Sequence, residues 1–269
     1  MKGIIGSIAG DVIGSAYEFN PTRDYNFELL TPRSTYTDDT VLTMANALWL
    51  LDDERHTHER LVEIMQDLCR RYPDRGYGGR FACWIGDRDP KPYNSYGNGS
   101  AMRVSPVGYY AQSLDEALEL AQVSAEVTHN HPEGIKGAQA TAAAVFMARK
   151  GASKREIRHY IEKNIDYDLS RTLDEIRPTY SFNELCQTTV PEAITCFLEG
   201  KDYEDVIRLA VSLAADADTL AAIAGPIASA VWEVPSEIAQ PVIALLNEEF
   251  CTTLLRFNEL VAKREQEAL

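Results

Sequence analysis

Two short stretches of this chain carry side chains fit for chemistry. Thr37-Asp38-Asp39-Thr40 and, far downstream, Asp216-Ala217-Asp218-Thr219 each set two carboxylates among threonine hydroxyls, directly ahead of an apolar run. Those runs, Val41 to Leu51 and Leu220 to Trp232, read as buried helices whose first turn carries the acids. Asp and Thr are also ordinary helix caps, and one cap satisfies an orphan backbone N–H for about 1 kcal/mol. Four carboxylates exceed what capping requires, and packed together without a cation they would repel one another. Ligand sets made only of oxygen suit hard divalent ions such as Mg2+, Mn2+ or Ca2+, not the metals that Cys and His select. The residues therefore predict two helix beginnings brought together around a divalent-metal site.

Other elements must position these acids. Glycines at Gly3, Gly6, Gly10 and Gly14 recur every three or four residues, which predicts a central helix over residues 3 to 18 with one face open to close packing. Glu18 stands at its end, at the root of a long loop from Asn20 to Ser34; a solvated surface acid and a site acid are both compatible with that place. A helix from Glu59 to Tyr72 stops at Pro73, and residues 74 to 98 read as loop. Ser95-Tyr96-Gly97-Asn98-Gly99-Ser100 then opens a helix over Ala101 to Tyr110, offering free backbone N–H groups for a phosphate, with Arg103 to add charge. A glycine turn with a serine cap is the plainer alternative. After a helix over Leu114 to Val127, Thr128-His129-Asn130-His131-Pro132-Glu133 leads into a long alanine-rich helix reaching Lys150. Histidines at i and i+2 do not share a helix face and have no cysteine near them, so a pocket-lining or capping role fits better than zinc. A charged surface helix over 153 to 163, an irregular stretch to 180, a helix over 183 to 199 interrupted near Pro191, and helices over Tyr203 to Ala214, Ser236 to Leu246 and Phe250 to Ala262 complete the chain.

No alternating strand pattern and no low-complexity linker occurs. The expected architecture is one all-α domain over 1–269, an orthogonal bundle of about a dozen helices around a central metal-binding cleft. A net charge of −15 opposes stable nucleic-acid or anionic-membrane binding. The five cysteines are odd in number and widely spaced, which predicts reduced thiols in a cytoplasmic protein. Asp11 and Glu18 interrupt the apolar N-terminus and argue against a signal peptide.

Taken in order, Gly-Asp-Val-Ile-Gly-Ser-Ala-Tyr-Glu at 10 to 18, Tyr-Thr-Asp-Asp-Thr at 36 to 40, Ser-Tyr-Gly-Asn-Gly-Ser-Ala-Met-Arg at 95 to 103, Thr-His at 128 to 129 and Asp-Ala-Asp-Thr at 216 to 219 resemble the motifs of the ADP-ribosylglycohydrolase family. The resemblance implies an all-α fold, two divalent ions (Mg2+ or Mn2+), and hydrolysis of the N- or O-glycosidic bond between ADP-ribose and an acceptor such as a modified protein. It further implies metal ligands at Thr37, Asp38, Asp39, Asp216, Asp218 and Thr219, and phosphate and ribose contacts at Ser95, Tyr96, Gly97, Asn98, Gly99 and Ser100, with His129 nearby. Glu18 matches the family's mobile glutamate over the metals; Glu18, Asp39 and Asp216 become the candidate acid and bases. The chain is expected to act as a monomer or weak oligomer. Where the family carries Gly-Gly before its second acidic motif, this chain has Ala214-Ala215, and a positive φ there would strain alanine. A weakly active ADP-ribose binder and a Mg2+-dependent nucleotide phosphohydrolase are the alternative readings.

Overall fold

Glycine spacing dictates the centre of the molecule. In a computed structural model describing residues 1–267, helix α1 (Ile5–Ser15) lies against α13 (Ala217–Val231), and nearly every residue of both is buried. A β-carbon at Gly10 would stand 2.2 Å from the Ala221 carbonyl oxygen, and one at Gly14 would stand 2.4 Å from the Asp218 Cα. Only glycine lets the two backbones approach this closely. A helix apolar all round must be covered on every side, and the remaining helices supply that cover.

In chain order these are α2 (Asp38–Asp52), α3 (His58–Arg71), α4 (Gly79–Gly86), α5 (Gly99–Met102), α6 (Ser105–Tyr110), α7 (Leu114–Glu126), α8 (Pro132–Arg149), α9 (Lys154–Tyr160), α10 (Leu173–Ile176), α11 (Cys186–Glu199), α12 (Tyr203–Val211), α14 (Ser236–Leu245) and α15 (Glu248–Glu267). A π-helical turn, Ile161–Ile165, extends α9. One contiguous hydrophobic core runs from Ile4 to Phe257. No strand occurs among the described residues; a single antiparallel bridge pairs Gly97 with Leu185. No helix among them is long and apolar enough to cross a membrane.

Three local expectations change. The loop of 74–98 contains α4, whose Phe81, Trp84 and Ile85 pack inward. The helix over 101–110 divides into α5 and α6 because Pro106, in the first turn of α6, has no N–H with which to continue α5; at the break Arg103 is drawn wholly inside and donates to the Ser124 carbonyl at 2.8 Å and Thr128 Oγ1 at 2.9 Å. Helix α11 continues through Pro191. Proline removes the one N–H that would bond the carbonyl of Gln187, an exposed residue in the first turn, so that carbonyl can meet water instead.

Candidate active site

Helix α1 ends where the cleft begins. The Tyr17 hydroxyl donates to the Glu28 carbonyl at 2.5 Å, which ties the 20–34 loop back onto the helix end and leaves Glu18 half-buried at the cleft wall. The cleft measures about 370 Å³.

The two acidic motifs meet there. Thr219 Oγ1 lies 3.4 Å from Asp39 Oδ2, bridging the motifs, and carboxylate oxygens of Glu18, Asp216 and Asp218 all fall within 4.8 Å of one another. Asp38, Asp39, Asp216, Asp218 and Thr219 line the cleft wall; Thr37 sits just behind it. Capping explains only part of this arrangement. Thr37 caps α2 by accepting from the Asp39 N–H, whereas Asp216 at the head of α13 makes no capping bond and accepts from Asn98 Nδ2 at 2.6 Å.

Burial raises the proton affinity of these acids. It pushes Glu18 up to about 8, helped by the charges of Asp218, Asp11 and Glu184. Asp216 rises to about 6, restrained by hydrogen bonds from Asp218 and Asn98 that favour the charged form. Asp38, Asp39 and Asp218 lie well above the ordinary carboxylate range, since burial is compounded by neighbouring carboxylates. No Lys, Arg or His forms an ion pair with any of them among the described residues. Asp39 Oδ1 is buried without any partner. An orphaned carboxylate oxygen inside an all-oxygen cluster lacking a counter-charge fits a hard divalent cation.

The glycine loop adjoins the acids through the Asn98–Asp216 bond. Gly97 pairs with Leu185, the Asn98 N–H donates to the Glu184 carbonyl at 2.7 Å, and the Cys186 N–H donates to the Tyr96 carbonyl at 3.0 Å, so α11 splints the loop from behind. Ser95, Tyr96, Gly97, Asn98 and Gly99 all reach the cleft. Ser100 turns away from it: its hydroxyl donates to the Gly134 carbonyl at 2.7 Å and helps lock α5 to α8.

His129 completes the loop wall. A β-carbon on Gly99 would stand 3.2 Å from His129 Nε2, so glycine leaves room for that nitrogen to face the loop. Thr128 Oγ1 accepts from Arg103 and lies 2.7 Å from His129 Nδ1, a contact that fixes the orientation of the ring. The other ring nitrogen, Nε2, is the one turned toward Gly97 and Gly99. Burial, with the charges of Arg103 and Arg80, holds the imidazole well below its ordinary pKa, hence neutral. His131 instead caps α8 by accepting from the Glu133 N–H at 3.1 Å.

Two residues at the site escape a reading by motif. Arg80 on α4 is the exposed cation of the cleft, stacked 4.8 Å from the Tyr93 ring centre; the glycine and arginine of 74–98 are the only hint of it. Asp11 is fully buried under the first acidic motif and accepts from Thr37 and Thr40. A lone charge in the apolar run Ile4 to Ala16 was its signal.

Residues 1–268 match the family model described as ADP-ribosylglycohydrolase. The chain is 28% identical over 306 residues to ADP-ribosylhydrolase ARH3 of Homo sapiens, spanning 85% of this chain and 84% of that one. It is 26% identical over 263 residues to ADP-ribosylarginine hydrolase Tri1 of Pseudomonas putida, spanning 86% and 70%. A solved structure titled ADP-ribosylglycohydrolase-related protein complex superposes with a TM-score of 0.75 at 22% identity, covering 97% of this chain and 95% of that chain.

Proposed function

The chain belongs to the ADP-ribosylglycohydrolase family, and from that premise we propose that its cleft hydrolyses the glycosidic bond between ADP-ribose and a modified acceptor. The observation that carries this reading is the meeting of the two acidic motifs, bridged by Thr219 and Asp39, in one cleft with the Gly97-Asn98-Gly99 loop. An acid cluster beside a loop rich in N–H donors suits a ligand with a diphosphate at one end and a reacting sugar at the other.

The contiguous core supports treating 1–269 as one domain. In this reading Thr37, Asp38, Asp39, Asp216, Asp218 and Thr219 hold two divalent cations, Mg2+ or Mn2+. When bound, such ions orient vicinal hydroxyls and make a coordinated water more acidic. The protein's own groups do the rest. Loop N–H groups not bonded within the protein, with the neutral His129 Nε2 beside them, bind phosphate or ribose oxygens, and Arg80 adds charge at the exposed edge of the cleft. Asn98 pins Asp216 in place. Glu18 stands half-buried on the cleft wall, its carboxylate within 4.8 Å of those of Asp216 and Asp218, and passes a proton to the departing acceptor. Asp39 or Asp216 takes the proton of the attacking water. The acceptor is an ADP-ribosylated protein or another ADP-ribosylated molecule, and the enzyme works as a monomer or weak oligomer. Five free cysteines support a reducing, cytoplasmic setting.

A weakly active binder is the second reading, favoured by one observation: Ala214 carries φ +58°, two residues ahead of Asp216. Incubation of arginine-, serine- and nucleic-acid-linked ADP-ribose substrates with and without Mg2+ separates the possibilities. Release of free ADP-ribose supports the hydrolase, retention of intact substrate with saturable binding supports the binder, and AMP plus ribose phosphate would replace both with a phosphohydrolase.

A further inference from the structure

We propose that Asp11 is a positioning residue for the cation site, one that orients Thr37 as a ligand and sets the spacing between the two acidic motifs from a single turn of α1. The inference rests on the reading above that Thr37 is a cation ligand.

The geometry is complete in hydrogen bonds. Asp11 is 0% exposed, so it touches neither substrate nor solvent. Its Oδ1 accepts from Thr37 Oγ1 at 2.7 Å, and its Oδ2 accepts from the Thr37 N–H at 2.9 Å, the Thr40 N–H at 3.0 Å and Thr40 Oγ1 at 2.5 Å. A threonine hydroxyl has one proton and two lone pairs. Here the proton goes to Asp11, since Asp39 Oδ2 is 3.5 Å away, and one lone pair accepts from the Asp39 N–H at 3.3 Å. One lone pair stays free, and the proton, which would repel a cation, is held on the far side of the oxygen. The arrangement has the form of the outer-shell contacts that fix ligand orientation in metal sites generally.

The same turn also grips the second motif. Gly10, next to Asp11, abuts the Ala221 carbonyl, and Gly14, one turn on, abuts Asp218 itself. With Asp11 clamping Thr37 and Thr40 and the glycine face seated on α13, α1 sets how far apart the two acid clusters stand.

The test is calorimetric titration of Mn2+ into metal-free wild type, Asp11→Asn, Thr40→Val and Thr37→Val, with melting temperatures measured alongside. Asp11→Asn keeps the shape but turns an N–H2 group toward donors, and it should weaken Mn2+ binding by about 10- to 100-fold, the range typical of lost outer-shell partners. Thr40→Val removes one donor to Asp11 without touching Thr37 and reads the clamp even where Asp11→Asn does not fold; it should weaken binding several-fold. Thr37→Val removes the ligand hydroxyl itself and should weaken Mn2+ binding at least as much as Asp11→Asn does. A purely structural Asp11 would lower the melting temperature while leaving Mn2+ affinity unchanged, and that result in the folded variants would overturn the inference. Failure of wild type itself to bind Mn2+ would instead overturn the cation reading, and this inference with it.

Discussion

Replacing Ala214 by glycine should stabilise the protein, and replacing its neighbour Ala215 in the same way should do the reverse. Ala214 has φ +58°, in the left-handed region, while Ala215 is absent from the positive-φ residues and is almost wholly buried. A left-handed conformation costs an L-residue about 1–2 kcal/mol. Glycine abolishes that strain but loses about 0.4–1 kcal/mol by loosening the unfolded chain. The net gain for Ala214→Gly is therefore roughly 0.5–1 kcal/mol, and for a chain of this size each kcal/mol moves the melting temperature by about 2–4 °C. Ala215→Gly relieves nothing, loses a buried methyl group and should cost about 1 kcal/mol or more. Urea titrations of both variants beside wild type read the two signs directly. Since alanine already adopts the left-handed backbone, Asp216 and Asp218 stay where they are, and turnover by Ala214→Gly should remain within about twofold of wild type. A lower midpoint for Ala214→Gly, or shifts of the same sign at both positions, would refute the claim that strain resides at Ala214; a large rise in turnover would show that the strain displaces the acids.

Gly14→Ala places a β-carbon 2.4 Å from the Asp218 Cα, so α1 and α13 must separate; a loss of about 1–3 kcal/mol in urea unfolding should accompany loss of Mn2+ binding. For His129, whose folded pKa lies well below 6.5, the native state binds fewer protons than the unfolded one on the acid side of 6.5, so stability falls as pH drops below that value and is unaffected above it. His129→Gln should remove that portion of the acid limb, seen as a smaller difference between urea midpoints at pH 7.5 and pH 5.5. Arg80→Ala should weaken ADP-ribose binding about tenfold, as loss of a charge-assisted contact does, and should flatten its salt dependence, both read by calorimetry.

Both acidic motifs were legible because helix beginnings announce themselves: Thr37 and the two acids after it precede a long buried run, and so do Asp216 and Asp218. The glycine stripe was equally plain, since its spacing has no other simple use. Helix α4 was not, as eight residues opening on glycine give too few turns for a period to emerge, and its inward Phe81 and Trp84 resemble scattered loop aromatics. The break between α5 and α6 had a local signal in Pro106, whereas the burial of Arg103 against Ser124 and Thr128 is tertiary and no local pattern encodes it. Asp11 was overlooked for a related reason. Its partners lie 26 and 29 positions away, and an acid inside an apolar helix reveals its purpose only when those partners are in place.

The seating of α1 on α13 also orders events at the ribosome. Gly10 meets Ala221, so α1 waits for more than two hundred residues before its partner exists. Until then a run of isoleucine, valine and alanine stays uncovered, a state that invites chaperone capture and aggregation. Pairing across so wide a gap is slow to form and leaves little that can fold alone. Premature termination anywhere before α13 should therefore yield fragments that neither bind ADP-ribose nor persist, and the finished cleft should appear only once α13 has been made.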